Sequence, residues 1–233
     1  MISVCMATYN GEKFIREQIE SILTNITSSD EVIISDDGST DKTLEILGKY
    51  CLKNKNIKIL NGPKLGVIKN FENAIKNASG DIIFLSDQDD VWMENIVSSV
   101  IDTFEKNNCD MVVHDAVVID KNENIHIPSF YMLRNSKSGL CKNLYKNSYI
   151  GCCMAFRREV FDLSYPFASN LPMHDWWLGL VADLKFKSVF IDDKLIKYRR
   201  HRNNVSNMHR FPVSVMIKNR VILLKELLKV WLK

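Results

Sequence analysis

The feature that most narrows the fold is an alternation through the first 106 residues: a short apolar run, a polar turn, then an amphipathic stretch. Residues 2–7, 31–35, 57–60 and 81–85 read as strands, apolar at most positions, as strands covered on both faces must be. Residues 11–25, 41–52, 66–78 and 91–106 carry apolar side chains at three- and four-residue spacing and read as helices. Such alternation implies an α/β fold with a mostly parallel sheet and helices on both faces. The second half is less regular. Strands are expected at 111–120, 149–156 and 188–191, a polar turn at 121–124 and a helix at 174–184. Residues 129–147 show weak periodicity and read as a long mobile segment near the site, and 211–233 as a basic amphipathic helix.

Composition removes several classes of function. A chain of 233 residues with 46% hydrophobic content builds a packed core, and no low-complexity tract argues for disorder. Cys5, Cys51, Cys109, Cys141, Cys152 and Cys153 show no CxxC spacing, so they read as reduced core residues rather than a disulfide frame or zinc site. A strand starting beside Met1 leaves no basic leader or cleavage site, and no run reaches the ~18–20 apolar residues of a membrane span. A cytoplasmic compartment is expected, and no nucleic-acid partner. The net charge of +3 is unevenly spread. Residues 194–233 hold 11 Lys or Arg against one acid, Glu226, whereas the preceding chain is acidic overall, a split that points to an anionic partner or surface.

In open α/β sheets, ligands bind beyond the carboxyl ends of the strands. Three of those ends here are polar: Thr8-Tyr9-Asn10-Gly11, Asp36-Asp37-Gly38-Ser39 and Asp87-Gln88-Asp89-Asp90. Helix capping by Asn10, Ser39, Asp41 or Asp90 accounts for one such residue per turn, but not for paired acids. Two carboxylates one residue apart at a strand end suit a hard divalent cation, Mn²⁺ or Mg²⁺, able to offset the charge of a diphosphate leaving group. Neither a P-loop nor a Gly-x-Gly-x-x-Gly turn is present, so backbone cradling of phosphate is not expected.

From Ser3 to about Val205 these strings resemble the inverting glycosyltransferases of family 2, which have the GT-A fold. The marks are Ala7-Thr8-Tyr9-Asn10, Ile34-Ser35-Asp36-Asp37-Gly38-Ser39-Thr40-Asp41 and Ser86-Asp87-Gln88-Asp89-Asp90, in that order. The resemblance implies that Thr8, Tyr9, Asn10, Asp37 and Gln88 meet the nucleotide-sugar donor, with Asp36 in support. It also implies that Asp87 faces the ribose or metal and that Asp89 binds the metal. His174-Asp175-Trp176-Trp177 resembles the family's acidic catalytic motif and makes Asp175 the general base; a plain helix N-terminal acid is the alternative. Trp176 and Trp177 are candidates for stacking on an acceptor sugar, with core packing as the bland reading. His114 and Asp115 are candidates for facing a sugar.

In Tyr198-Arg199-Arg200-His201, relatives imply His201 as a metal ligand and Arg200 as a neutraliser of diphosphate; a solvated basic turn is the alternative. Family members usually carry Ala-Arg-Asn after the third strand, where this chain has Gly66-Val67-Ile68-Lys69-Asn70, so Lys69 or Asn70 must substitute. No Gln-x-x-Arg-Trp string is present, which favours addition of a single sugar. His126 and His209 read as surface histidines. The implied domains are 1–210, with a nucleotide-binding half at 1–110 and an acceptor-binding and catalytic half at 111–210, followed by the helix at 211–233.

The wording of three strings, 86–92, 174–177 and 198–205, is similar to that of bacterial rhamnosyltransferases of surface polysaccharide synthesis. That implies a dTDP-rhamnose donor, with a UDP-sugar as the alternative, and a glycan or polyprenyl-linked acceptor. A sugar-1-phosphate nucleotidyltransferase would need a glycine-rich basic loop where Thr8-Tyr9-Asn10-Gly11-Glu12 stands, and a non-catalytic sugar-binding relative would be expected to lack Asp89 or Asp175. Residues 213–233 place Val213, Met216, Ile217, Val221, Leu224, Leu227, Leu228 and Trp231 at helical spacing, with Lys218, Arg220, Lys225, Lys229 and Lys233 supplying charge. The stripe is expected to lie peripherally on the inner face of an anionic membrane. Packing on the catalytic domain, or on a second subunit in a homodimer, is the alternative.

Overall fold

A computed structural model describes residues 1–201, 204 and 211–232; His209, Val205 and Lys233, named above, lie outside the described residues. The first half follows the alternation: β1 (Ile2–Thr8), α1 (Ile15–Leu23), β2 (Glu31–Asp36), α2 (Thr43–Lys53), β3 (Ile57–Asn61), α3 (Val67–Lys76) and β4 (Ile82–Ser86). These strands lie parallel in the order β3-β2-β1-β4. Every residue of β1 is buried, which is why the strand reads as an unbroken apolar run. Helix α3 turns Phe71, Ala74 and Ile75 onto the sheet at three- and four-residue spacing.

The second half continues the same sheet with β5 (Val91–Trp92), α4 (Ile96–Asn107), β6 (Met111–Ile119), β7 (Ile125–Ile127), α5 (Phe130–Arg134) and α6 (Leu140–Tyr145). Then come β8 (Met154–Arg157), α7 (Arg158–Ser164), α8 (His174–Lys185), β9 (Ser188–Arg199) and α9 (Val213–Trp231). Strand β8 runs antiparallel to both β4 and β6, and β6 runs parallel to β9. Among the described residues the result is one nine-stranded sheet flanked by helices.

Four expectations change here, each for a tertiary reason. Val91 and Trp92 are not helical. They pair antiparallel with β9, and Trp92 is buried against Phe84 at 5.5 Å, so α4 starts only at Ile96. Residues 129–147 are not featureless, because Ser129 caps α5 by accepting from Met132 N at 3.1 Å and α6 follows. The expected strand at 149–156 begins as a single 3-10 turn, Gly151–Cys153, before β8. Strand β9 extends to Arg199 because a double register shift at His114–Ala116 lets exposed Asp192 and Asp193 pass without breaking the pairing.

The six cysteines are free, four of them buried. Helix α9 buries Leu223, Leu227 and Val230 against the body of the chain, each worth about 1.5–3 kcal/mol. Arg220 donates to the Tyr145 carbonyl and lies 5.6 Å over the Trp176 ring. No helix among the described residues is long and apolar enough to cross a membrane.

Candidate active site

The ends of β1, β2 and β4 meet on one rim, tied together by their own polar side chains. Asp36 organises the second turn: its carboxylate accepts from Gly38 N (3.0 Å), Ser39 N (2.7 Å), Ser39 Oγ (2.6 Å) and Thr8 Oγ1 (2.9 Å). Asn10, in the left-handed region at φ 50°, accepts from Thr40 N at 2.8 Å. Gln88 clamps the Tyr9 backbone, accepting from its N–H at 2.9 Å and donating to its carbonyl at 3.0 Å. Gly11 permits that clamp, since a Cβ there would lie 2.4 Å from Gln88 Oε1. Asp37 accepts from Lys64 N (2.6 Å) and Gly66 N (2.8 Å), fixing the loop between β3 and α3.

Below the rim opens a cleft of about 620 Å³, within the range of small-molecule sites. Thr8, Tyr9, Asp37, Lys69, Asn70, Asp87, Gln88 and Asp89 line it from the first half of the chain, and Gly151, His174 and Asp175 from the second. Asn70 Nδ2 donates to the Thr8 carbonyl at 3.2 Å. Lys69 is already paired with Glu72 (2.5 Å) and donates to the Phe167 carbonyl (2.6 Å). Against Lys69 the cleft sets four acids, Asp37, Asp87, Asp89 and Asp175. Burial, then the neighbouring Asp89 and Asp175, push the Asp87 carboxyl up to about 8.

Two groups of side chains could hold a cation. Asp87, Asp90 and Cys152 offer ligand atoms within 4.8 Å of one another. However, burial raises both the Cys152 thiol and the Asp90 carboxyl far above their ordinary values, and Asp90 is already engaged by the Arg199 N–H at 2.8 Å. The second group fits better. Asp89 Oδ2 lies 2.7 Å from His201 Nε2, close to the ~3 Å between neighbouring ligands of an octahedral ion with ~2.1 Å bonds. The carboxylate suits a hard cation such as Mn²⁺ or Mg²⁺, and the imidazole tilts the pair toward Mn²⁺.

This corner is braced by a residue the sequence reading passed over. Arg199 is buried; its N–H donates to Asp90 (2.8 Å), its Nε to the Asp89 carbonyl (2.9 Å), and its guanidinium pairs with Glu17 (2.6 Å). Asn204 Nδ2 donates to Asp89 Oδ2 at 3.2 Å, and Phe14 stacks on His201 at 5.1 Å. Arg199 sits inside the 198–201 string, which was the signal available.

Asp175 enters from the first turn of α8. Its Oδ1 accepts from Trp176 N (2.6 Å) and its Oδ2 from Gly151 N (3.1 Å). Burial pushes the carboxyl up to about 7, against the downward pull of those two N–H groups. A carboxyl poised there can give up and take a proton near neutrality.

Several expected contacts are not made. Trp176 and Trp177 are buried; their indole N–H groups donate to the Asn143 (2.8 Å) and Ser164 (3.1 Å) carbonyls, so neither ring offers a face to a sugar. His114 and Asp115 are buried in β6. Asp115 accepts from Ser129 Oγ (2.5 Å) and Tyr131 N (2.9 Å) and so anchors α5, while His114 Nδ1 bonds the Asp115 carbonyl. Arg200 packs over Tyr198 and donates to its hydroxyl at 3.0 Å rather than lining the cleft. Asn10 and Asp36 shape the rim from behind and do not line the cleft.

Residues 3–163 match the family described as Glycosyl transferase family 2. The dTDP-rhamnosyl transferase RfbG of Shigella flexneri is 31% identical over 215 residues, covering 85% of this chain and 72% of that protein. Among solved structures, S. aureus TarS 1-349 in complex with UDP-GlcNAc aligns at TM-score 0.76 and 20% identity over 97% of this chain. Mannosyltransferase PcManGT from Pyrobaculum calidifontis, in complex with GDP-Man and Mn²⁺, aligns at TM-score 0.67 and 17% identity over 87% of this chain. The chain spans 66% and 57% of those two solved chains, less than two thirds of each.

Proposed function

The chain is a glycosyltransferase that belongs to family 2 and has the GT-A fold, and from that premise we propose that it transfers one sugar, with inversion, from a nucleoside diphosphate sugar to an acceptor hydroxyl. The observation that carries this reading is that Asp87, Asp89 and Asp175, supplied by separate halves of the chain, line one cleft. Thr8, Tyr9, Asp37 and Asn70 frame the nucleoside. Asp89 and His201 hold the cation, with Asp87 beside them. When bound, Mn²⁺ or Mg²⁺ acts as a Lewis acid on the diphosphate, an arrangement favoured because the acids of the cleft outnumber its cations. Asp175 takes the proton from the acceptor hydroxyl as that oxygen attacks the anomeric carbon. A single carboxylate base on the attacking side gives inversion.

The donor is dTDP-rhamnose. The resemblance of three motif strings supports this, as does the 31% identity to a dTDP-rhamnosyl transferase. A screen of nucleoside diphosphate release from dTDP-rhamnose, UDP-glucose, UDP-GlcNAc and GDP-mannose, with Mn²⁺ or Mg²⁺, tests it. Preferred turnover of a UDP-hexose overturns the donor but leaves the mechanism; release from none overturns both.

The acceptor is a glycan or polyprenyl-linked sugar of a surface polysaccharide, met at the inner leaflet. The support lies on α9, whose second face leaves Val213, Ile217, Val221, Leu224, Leu228 and Trp231 between 46% and 71% exposed in one continuous stripe. Lys218, Lys225 and Lys229 accompany the stripe, and each basic residue near anionic lipid contributes ~1 kcal/mol. The paired substitution Val221→Ser and Leu228→Ser leaves the packed face intact. Co-sedimentation of the wild type, and not of this variant, with phosphatidylglycerol vesicles at low salt is expected. A wild type that stays in the supernatant sinks the membrane claim, and if it sediments as a dimer by ultracentrifugation the stripe belongs to a second copy.

A further inference from the structure

His174 opens α8 and is 4% exposed, yet neither of its ring nitrogens has a hydrogen-bond partner among the described residues. It lines the cleft beside Asp175, and its ring stacks on Phe71 with centroids 4.1 Å apart and 23° between planes. The stack fixes how the ring presents its nitrogens. A buried donor and acceptor left unmade are disfavoured, so a group arriving in the cleft is the natural partner.

The chemistry of the ring narrows that group. Burial depresses its pKa to about 3, so the imidazole is neutral and offers one N–H donor and one bare nitrogen acceptor. A hydroxyl, itself both donor and acceptor, matches this pair. A diphosphate does not, since it offers acceptors only and is met best by charge. The surroundings agree. Ile150 and Met173, neighbours in the chain of Gly151 and His174, line the cleft with them and suit the C–H face of a sugar ring. Gly151 packs against the Nε2 edge, where a Cβ would stand 3.0 Å from Nε2.

We infer that His174 binds the transferred sugar itself, hydrogen-bonding one hydroxyl of a neutral pyranose, and so sets donor specificity. The inference rests on the glycosyl-donor reading above. Its test separates sugar from nucleotide by calorimetric titration of the full chain with Mn²⁺, using dTDP against dTDP-rhamnose and UDP against UDP-glucose, and keeping the pair the wild type binds more tightly. His174→Phe retains size and stacking but no hydrogen bond; His174→Gln restores a neutral donor and acceptor. The phenylalanine variant is expected to lose about tenfold in affinity for the nucleotide sugar and nothing for the nucleotide, with the glutamine variant recovering part of the loss. In the wild type, the His174 ring nitrogen resonances should shift with the nucleotide sugar and stay put with the nucleotide alone, a readout independent of how well either variant folds. Equal losses for both ligands, no loss for either, or an unmoved His174 resonance overturns the assignment alone. A wild type that binds neither pair overturns the glycosyl-donor reading and this inference with it.

Discussion

Replacing Asp175 with asparagine keeps the shape of the side chain and removes its charge, which makes chemistry and stability move in opposite directions. In the folded chain burial pushes this carboxyl up to about 7, whereas an ordinary aspartate titrates near ~3.9. A raised pKa means the fold prefers the neutral form, so the stability it contributes is whole below about pH 4 and is lost as pH rises through 7. Above pH 7 the ionised group costs the fold about 4 kcal/mol at ~1.4 kcal/mol per unit. Asparagine keeps one acceptor for the Trp176 or Gly151 N–H and gives up the other, a loss of about 1–2 kcal/mol. Asp175→Asn should therefore be more stable than the wild type by about 2–3 kcal/mol at pH 8, or roughly 4–12 °C in melting temperature. Near pH 4 the ionisation cost is gone and only the lost acceptor remains, so the variant should be the less stable of the two by about 1–2 kcal/mol. Transfer should fall by about 10²–10⁴-fold as the base is lost. Calorimetric melts in chelator at pH 4, 6 and 8, alongside nucleoside diphosphate release, give both quantities. A variant less stable than the wild type at pH 8 would refute the desolvation argument, and one within a few-fold of wild-type turnover would refute the role of base.

Two further outcomes follow from the same geometry. The rate at low substrate should rise with pH along a limb of apparent pKa near 7, losing about tenfold per unit below about pH 6; a profile flat from pH 5 to 8 means that Asp175 is not the titrating base. Gly62→Ala would set a Cβ 2.6 Å from both the Asp36 carbonyl and Asn70 Oδ1, an overpacking of about 1–3 kcal/mol, and should lower the melting temperature and weaken nucleotide binding together; an unchanged melt would show that the loop has room.

The first half of the chain was legible because buried parallel strands have nowhere to put polar residues except their ends. Apolar runs therefore gave β1 to β4, and the acids clustered at the turns gave the rim. The second half is held by contacts that cross long stretches of sequence. Ser129 and Asp115 start α5, Asn143 with Asp183 steadies α6, and a strand that carries Asp192 and Asp193 outward breaks the apolar pattern by which β9 would be recognised. Trp176 and Trp177 misled because aromatic rings beside a catalytic acid resemble a sugar platform. Helix α8 is buried nearly all round, and both rings go to the core. His174 was invisible for the opposite reason: one histidine in a string carries no signal until its nitrogens are found unpaired in a cleft.

The central claim is that a cation held by Asp89 and His201 ties the nucleoside diphosphate sugar into the cleft that Asp175 serves. It is tested most directly by nucleoside diphosphate release from the best donor in three conditions: wild type with Mn²⁺, wild type with chelator, and Asp89→Ala with Mn²⁺. Release in the first alone, restored on adding Mn²⁺ back to the chelated wild type, is the predicted result. Equal release in all three would contradict the account.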